Sequence, residues 1–554
     1  MGASHQPCRA SALVTQPLGH PIQNSNEGIT VERLRTDEIS AGKLEFVLWA
    51  VCGAIWIWCT WFQISVKSSF LDDSFIYLHL ASNVVEEGTA RCFPIAESRA
   101  LLASSPLRLM VLVPATLVAR LFTDVDRSVG AARLTLVLSG LISSLIFLPF
   151  FRKNMNTWLI GFAAAGLFGL STETGLQMEG LLVFWLVFTT LATMPSSPPD
   201  TPYFRRLAVL VGLMILTRPE YGAAAMVLAA FYLLLHRSAR NTLAFFLPVF
   251  LIGVSWIGVA RVLGVYPIPT SILSKILTAD LGLFQGGRFW ESFPDKMKAA
   301  FFASANVPFW AAGVGAVAAL AAIALSGRRF WWALAFIAIV SIEETKAPGN
   351  YLWYHENLFI VFVTVCGFAL VKNIRSLPKA VALALCVLTI LPVAGFAASG
   401  LGRDRVMFWN FKTAPSRATA YQMVGKYADG LGTFQFPQLG RCSIVMNEIG
   451  IAAYFGGTRI WVIDNSGLAQ PGTPKTALRH WVSKFYPRDV LRSGIEEMQF
   501  IKTKFNYGIE KPPLFFAQGV TTREDAKKVC SFYAPKQGLC LETMESVKRR
   551  SVIR

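Results

Sequence analysis

The chain has 554 residues, 53% of them hydrophobic and only 16% charged, with a mean hydropathy of +0.46. Apolar runs near the ~20 residues that a helix needs to cross a bilayer recur along it, which excludes a soluble enzyme and makes this a polytopic helical membrane protein. The net charge of +18 does not point to nucleic acid, because Lys and Arg gather in short loops, as cytoplasmic loops of membrane proteins do, and no basic, aromatic-interleaved groove accompanies them.

Residues 1–43 are polar and rich in Ser, Gln, Asn and Gly, which predicts a disordered cytoplasmic tail. The apolar run that follows is too long for the core of a cleavable signal and reads as a retained anchor. Twelve apolar segments can be marked: 44–66, 107–123, 132–151, 157–171, 180–195, 206–217, 221–236, 243–264, 307–326, 330–343, 355–371 and 380–398.

Positive charge orients them. The stretches Arg152–Asn154, Arg205–Arg206, His236–Arg240, Arg328–Arg329 and Lys372–Lys379 are each separated from the next by two spans, so all five fall on the cytoplasmic side. The segment 107–123 breaks the alternation. It is short and contains Arg108, Pro114 and Arg120, so it is expected to be an interfacial or re-entrant helix. About eleven spans remain, with the N-terminus inside and the C-terminus outside, and residues 67–131 become one long external loop.

That loop opens on the paired acids Asp72 and Asp73 in "FLDDSFIYLHLASNVVEEG". The other informative polar groups surface on the same outer face: Glu173, Gln177 and Glu179, Arg218 and Glu220, Lys275, and Glu343, Glu344, Lys346, His355 and Glu356. Ionisable groups at such depths are expensive to place and mark function.

From residue 399 the pattern changes to mixed, loop-rich sequence. "RCSIVMNEIGIAAYFGGTRIWVIDNSGLAQP" reads as strand, helix, strand, with strand-length apolar runs punctuated by Gly, Asn and Asp. A C-terminal extracytoplasmic α/β domain over 399–554 is expected. Of the nine cysteines, Cys52, Cys59, Cys366 and Cys386 lie in apolar spans as small hydrophobes, and Cys530 and Cys540 are the pair to test for a disulfide. No Cys/His grouping has zinc-site spacing.

Taken in order, the motifs resemble the GT-C superfamily of membrane glycosyltransferases, and within it the arabinofuranosyltransferase B type. The resemblance is carried by "DDSFIYLHLASNVVEEG", "SSPL" (104–107), "QMEG" (177–180), "TRPEY" (217–221), "PTS" (269–271) with Lys275, and "IGIAAYFGGTRIWVIDNSGL". The chain departs from the pattern where Gln177 replaces a Gly, where Tyr221 displaces a Gly to 222, and where "WYHEN" stands for an Arg-Tyr pair.

The resemblance implies a GT-C-like catalytic domain over 44–398 in the inner (cytoplasmic) membrane, with its active site on the extracytoplasmic face. It implies transfer of a sugar, such as arabinofuranose, from a polyprenyl-phosphate donor to a glycan, lipid or protein acceptor. No nucleic acid is involved. Asp72, with Asp73 second, would be the base that takes the acceptor proton in an inverting displacement. The other reading of the pair is an N-cap of the following helix. Lys275 and Arg218 would meet the donor phosphate, against a snorkelling lysine and a structural Arg218–Glu220 pair. Glu179 would hold sugar hydroxyls, or cap the next span. His355 is a further phosphate or sugar donor candidate, or a structural histidine. Paired carboxylates permit a divalent cation, Mg²⁺ or Mn²⁺, but no ligand set is diagnostic. The rival classes are an oligosaccharide ligase or polymerase, a lipid-linked glycan transporter, and a non-catalytic scaffold.

Overall fold

The computed structural model describes residues 47, 49–58, 69–70, 72–92, 99–123, 127–171, 176–194, 200–235, 238–272, 337–339, 357, 360–365, 367–368, 409–410, 442–446, 450–456 and 460–464. The chain divides into two compact units, Met1–Val51 and Cys52–Arg554. In the smaller, residues 47 and 49–51 are helical, and all that follows concerns the larger. The tail 1–43, the segments 307–326 and 380–398, the Cys530–Cys540 pair, and Glu173, Lys275, Glu343, Glu344, Lys346, His355 and Glu356 lie outside the described residues. So do the side chains of Asp72, Glu220 and Asp464.

Strand β1 (Ser69–Phe70) leads into helix α1 (Asp72–Glu87). Helices α2 (Pro106–Arg120), α3 (Val129–Ile146), α4 (Met155–Ser171), α5 (Gly180–Ala192), α6 (Thr201–Thr217), α7 (Pro219–Leu235) and α8 (Ala239–Val262) follow, with a 3₁₀ turn at Leu148–Phe151. Further on come β2 (Trp409–Asn410), β3 (Cys442–Met446), α9 (Gly450–Gly456) and β4 (Ile460–Asp464).

Side-chain caps set several helix starts. Ser105, Ser128, Asp200 and Ser238 each accept from a backbone N–H three residues on, satisfying an otherwise orphaned donor. Asp200 starts α6 earlier than the apolar run 206–217 suggests. Arg205 and Arg206, expected in a loop, are therefore exposed residues within a helix. Ser238 likewise draws Arg240 into α8. Gly88 (φ +68) and Gly264 (φ +71) adopt the left-handed conformation just beyond α1 and α8, where a side chain is disfavoured.

Helix α2 packs against α1, α3 and α6. The segment expected at the interface is thus seated in the bundle along one face, with Arg108 wholly buried, while Met110, Leu117, Leu121 and Phe122 stay exposed on its outer side. The core of the bundle is aromatic. Trp185 is fully buried and stacks on Phe147 at 5.9 Å, and its indole N–H donates to Ser144 Oγ at 3.0 Å.

Among the described residues, two helices are long and apolar enough to cross a membrane, α3 and α8. The 24 residues of α8 rise ~36 Å, more than the ~30 Å hydrocarbon core. It leaves Leu243, Phe246, Leu247, Phe250, Val254 and Ile257 exposed as a continuous apolar band.

The C-terminal stretch has the expected strand–helix–strand order, and β3 and β4 pair in parallel, Cys442 opposite Ile460 through Met446 opposite Asp464. One of its pieces packs on α1 and another pairs with the strand just before it. Helix α9 packs along α1, and β1 pairs antiparallel with β2, Ser69 opposite Asn410 and Phe70 opposite Trp409.

Candidate functional site

The "TRPEY" segment is the elbow between α6 and α7. A residue before proline is pushed out of the helical region, and Arg218 takes φ −155, ψ 115 while Pro219 begins α7. The extended backbone carries the guanidinium off the helix. Its Nε lies 2.7 Å from Oε1 of Glu179, with both side chains almost wholly buried.

Glu179 stands at the N-cap of α5 but makes no side-chain cap bond. This corrects the capping alternative: the carboxylate turns instead to Arg218 and to Asn357, whose Nδ2 donates to the same Oε1 at 3.3 Å. Arg218 is likewise held by Glu179, and the Arg218–Glu220 alternative falls on a side chain outside the described residues. The second carboxylate oxygen, Oε2, is buried without a hydrogen-bond partner among the described residues, as are Asn357 Oδ1, Thr270 Oγ1 and Ser271 Oγ. Leaving such acceptors dry costs about 1–3 kcal/mol each, a penalty that a bound hydroxyl donor removes.

A second set of buried groups ties this pair to the helix of the acid pair. Tyr77 on α1 accepts from the Ser105 N–H at 2.9 Å and shares a 2.8 Å bond with Ser104 Oγ. Burial pushes its phenol above the usual range and the Glu179 carboxylate pushes the same way, outweighing the Ser104 and Ser105 bonds and the Arg218 charge. It is therefore a neutral hydroxyl within the field of Glu179 and Arg218. Arg108 donates to Ser139 Oγ at 2.8 Å and to the Leu176 carbonyl, and lies within electrostatic reach of Tyr77 and Glu179. The "PTS" stretch joins through backbone, where the Thr270 N–H donates to the Leu101 carbonyl at 2.8 Å.

The structure thus links Tyr77 to Ser104 and Ser105 of "SSPL" and Glu179 of "QMEG" to Arg218 of "TRPEY" and Asn357, with Thr270 of "PTS" tied to Leu101. Asp72 and Asp73 form the first residues of α1. They are helix-initiating in position, and Asp73 is half-buried with a partner of its own. Sequence reasoning missed Tyr77, Arg108 and Asn357. Tyr77 was visible one helical turn after Asp73, on the same face. Arg108 was visible as a charge in an apolar helix. Asn357 lies two residues beyond His355. Among the described residues no group of three or more His, Cys, Asp or Glu gathers as a metal site.

No family model matches the chain, and no curated protein matches it. Two solved structures are similar to it: ArnT from Cupriavidus metallidurans bound to undecaprenyl phosphate, at 13% identity and TM-score 0.45, covering 78% of this chain and 88% of that one, and the same protein in the apo state, at 12% identity and TM-score 0.44, covering 79% and 89%. At that level of likeness neither a shared fold nor a shared activity follows.

Proposed function

We propose that the chain is an integral-membrane glycosyltransferase that takes a sugar, such as arabinofuranose, from a polyprenyl phosphate and adds it to an extracytoplasmic glycan, lipid or protein. The observation that carries this reading is the buried Glu179–Arg218 pair, which joins "QMEG" to "TRPEY" and to Asn357 and leaves one carboxylate oxygen without a partner among the described residues.

In the proposed step the acceptor oxygen attacks the anomeric carbon as its bond to the donor phosphate breaks. Asp72 takes the acceptor proton, with Asp73 beside it, and polyprenyl phosphate leaves as its own anion. A single displacement inverts the anomeric centre. Glu179 Oε2 and Asn357 Oδ1, acceptors only in this arrangement, suit sugar hydroxyls, and Arg218 holds Glu179 for them. Lys275 and His355 meet the phosphate, and Glu220 is a further contact for the donor. No Mg²⁺ or Mn²⁺ is assigned to the step. The apolar band of α8 supports membrane residence, with the donor's lipid tail among the helices.

The test is transfer in proteoliposomes from a panel of radiolabelled polyprenyl-phosphate sugars to a membrane-extract acceptor. Wild type should use one donor, and Asp72→Asn should lower its rate by about 10²–10⁴-fold, the usual worth of a positioned base. A donor consumed equally well by wild type, Asp72→Asn and Asp73→Asn would remove the base from the acid pair.

A further inference from the structure

The acid pair is bracketed by the C-terminal part of the chain. Immediately before it, Ser69 and Phe70 are laddered to Asn410 and Trp409. Immediately after it, Phe75 is fully buried, its ring 5.2 Å from that of Tyr454 and 5.7 Å from that of Phe455. Residues 71–74 are what remains between these two attachments.

Arg127 fastens the second attachment. It holds a left-handed backbone, φ 56, which a side-chain-bearing residue rarely adopts. Its guanidinium uses all five of its donors. Nε and Nη2 grip the two Glu86 oxygens at 3.1 and 2.7 Å, and Nη2 also donates to Asn83 Oδ1 at 2.7 Å. Nη1 donates to His79 Nδ1 at 2.9 Å and to the Tyr454 carbonyl at 3.0 Å. His79, Asn83 and Glu86 fall on one face of α1, at i, i+4 and i+7, so a single side chain joins two turns of α1 to the backbone of α9. His79 accepts at Nδ1 and donates from Nε2 to the Cys92 carbonyl at 2.8 Å, which makes it the neutral Nε2–H tautomer and locks the acceptor toward Arg127. The Tyr454 hydroxyl closes the knot on the Ser128 carbonyl at 3.4 Å.

We infer that Arg127 is a positioning residue: it pins α9 against α1, and the C-terminal strand–helix–strand unit thereby seats Asp72 and Asp73. The part of the inference that concerns the acid pair's chemistry rests on the proposed glycosyl transfer, but the seating does not. Lysine cannot replace Arg127, since one ammonium has three donors and no planar fork for the Glu86 carboxylate.

The experiment is hydrogen exchange on the full-length protein in lipid nanodiscs, comparing wild type with Arg127→Lys and Arg127→Ala. Exchange over residues 70–78 and 450–456 should rise by about tenfold or more in both variants, while α6 and α8 keep wild-type protection, as local opening requires. Unchanged exchange over 70–78 in both variants overturns the inference, whatever happens to activity. Should neither variant fold, Ser69→Cys with Asn410→Cys in an otherwise wild-type chain decides the matter. Oxidation should crosslink the two segments in native membranes, and no crosslink overturns the seating. With a donor that wild type turns over, Arg127→Lys should lower kcat and leave KM for the donor within about twofold, because the residue touches the base's scaffold and not the substrate. A wild type that turns over no donor would count against the glycosyl transfer and leave the exchange result standing.

Discussion

Arg218 reaches Glu179 across the bundle, 2.7 Å from Nε to Oε1, with both side chains almost wholly buried. Breaking such a pair strands a charge in a low dielectric, and removing one partner costs about 3–5 kcal/mol. Glu179→Gln and Arg218→Met should each lower the Tm in detergent sharply, and the double variant should recover part of the loss. A double-mutant cycle on thermal unfolding measures this. Simple additivity would show that the two groups are not coupled.

Arg108 serves the same pair from behind, through the Leu176 carbonyl three residues before Glu179. Arg108→Met leaves that carbonyl and Ser139 Oγ without their donor, at about 1–3 kcal/mol for a buried group. The expected result is a lower Tm together with a fall in turnover larger than stability explains. Transfer rates taken well below the Tm of both proteins separate the two effects.

Acid should loosen α1. Burial and the Arg127 charge lower the pKa of His79 from 6.5 to about 3, outweighing the Cys92 carbonyl bond. The unfolded chain therefore binds a proton that the folded one refuses. The contribution is full above pH 6.5 and is lost as pH falls from 6.5 toward 3. By linkage this removes about 2 kcal/mol between pH 7 and pH 5. His79→Gln, which stays neutral, should flatten the pH dependence of Tm over that range while lowering its plateau. A slope unchanged from wild type would assign the effect elsewhere.

Gly222 lets α7 approach α6 at the Arg218 elbow. A Cβ there would lie 2.8 Å from the Ile215 Cα, which is backbone and cannot swing aside. Gly222→Ala should destabilise by about 1–3 kcal/mol, the usual range for overpacking, and should weaken transfer by displacing Arg218. Substitution of Gly253, which has nothing within 4 Å of its Cβ position, is the matched control and should leave both unchanged.

What the sequence disclosed, and what it withheld, follows from range. The helix from Asp72 to its end at Gly88, the Arg-Pro elbow and the strand–helix–strand order are local matters of propensity, pre-proline sterics and left-handed glycine, so "DDSFIYLHLASNVVEEG" and "TRPEY" display them directly. The start of α6 was misplaced because hydropathy places a boundary where apolar residues begin, whereas Asp200 places it where a cap can form. Partners were a different matter. No periodicity announces that Arg218 meets Glu179. Arg127 sits in "TDVDRS", a stretch that reads as solvated loop, and its four partner residues are three on α1 and one more than three hundred positions away.

The ladder between Ser69 and Asn410 has a consequence in time. At about 5–20 residues per second, the first strand leaves the ribosome well before its partner exists. Closing so long a loop is entropically costly and comes after local helix pairing. The bundle therefore assembles first, and the acid pair is seated last, when the C-terminal chain arrives. Nascent and truncated molecules would hold the bundle folded with Asp72 and Asp73 unseated.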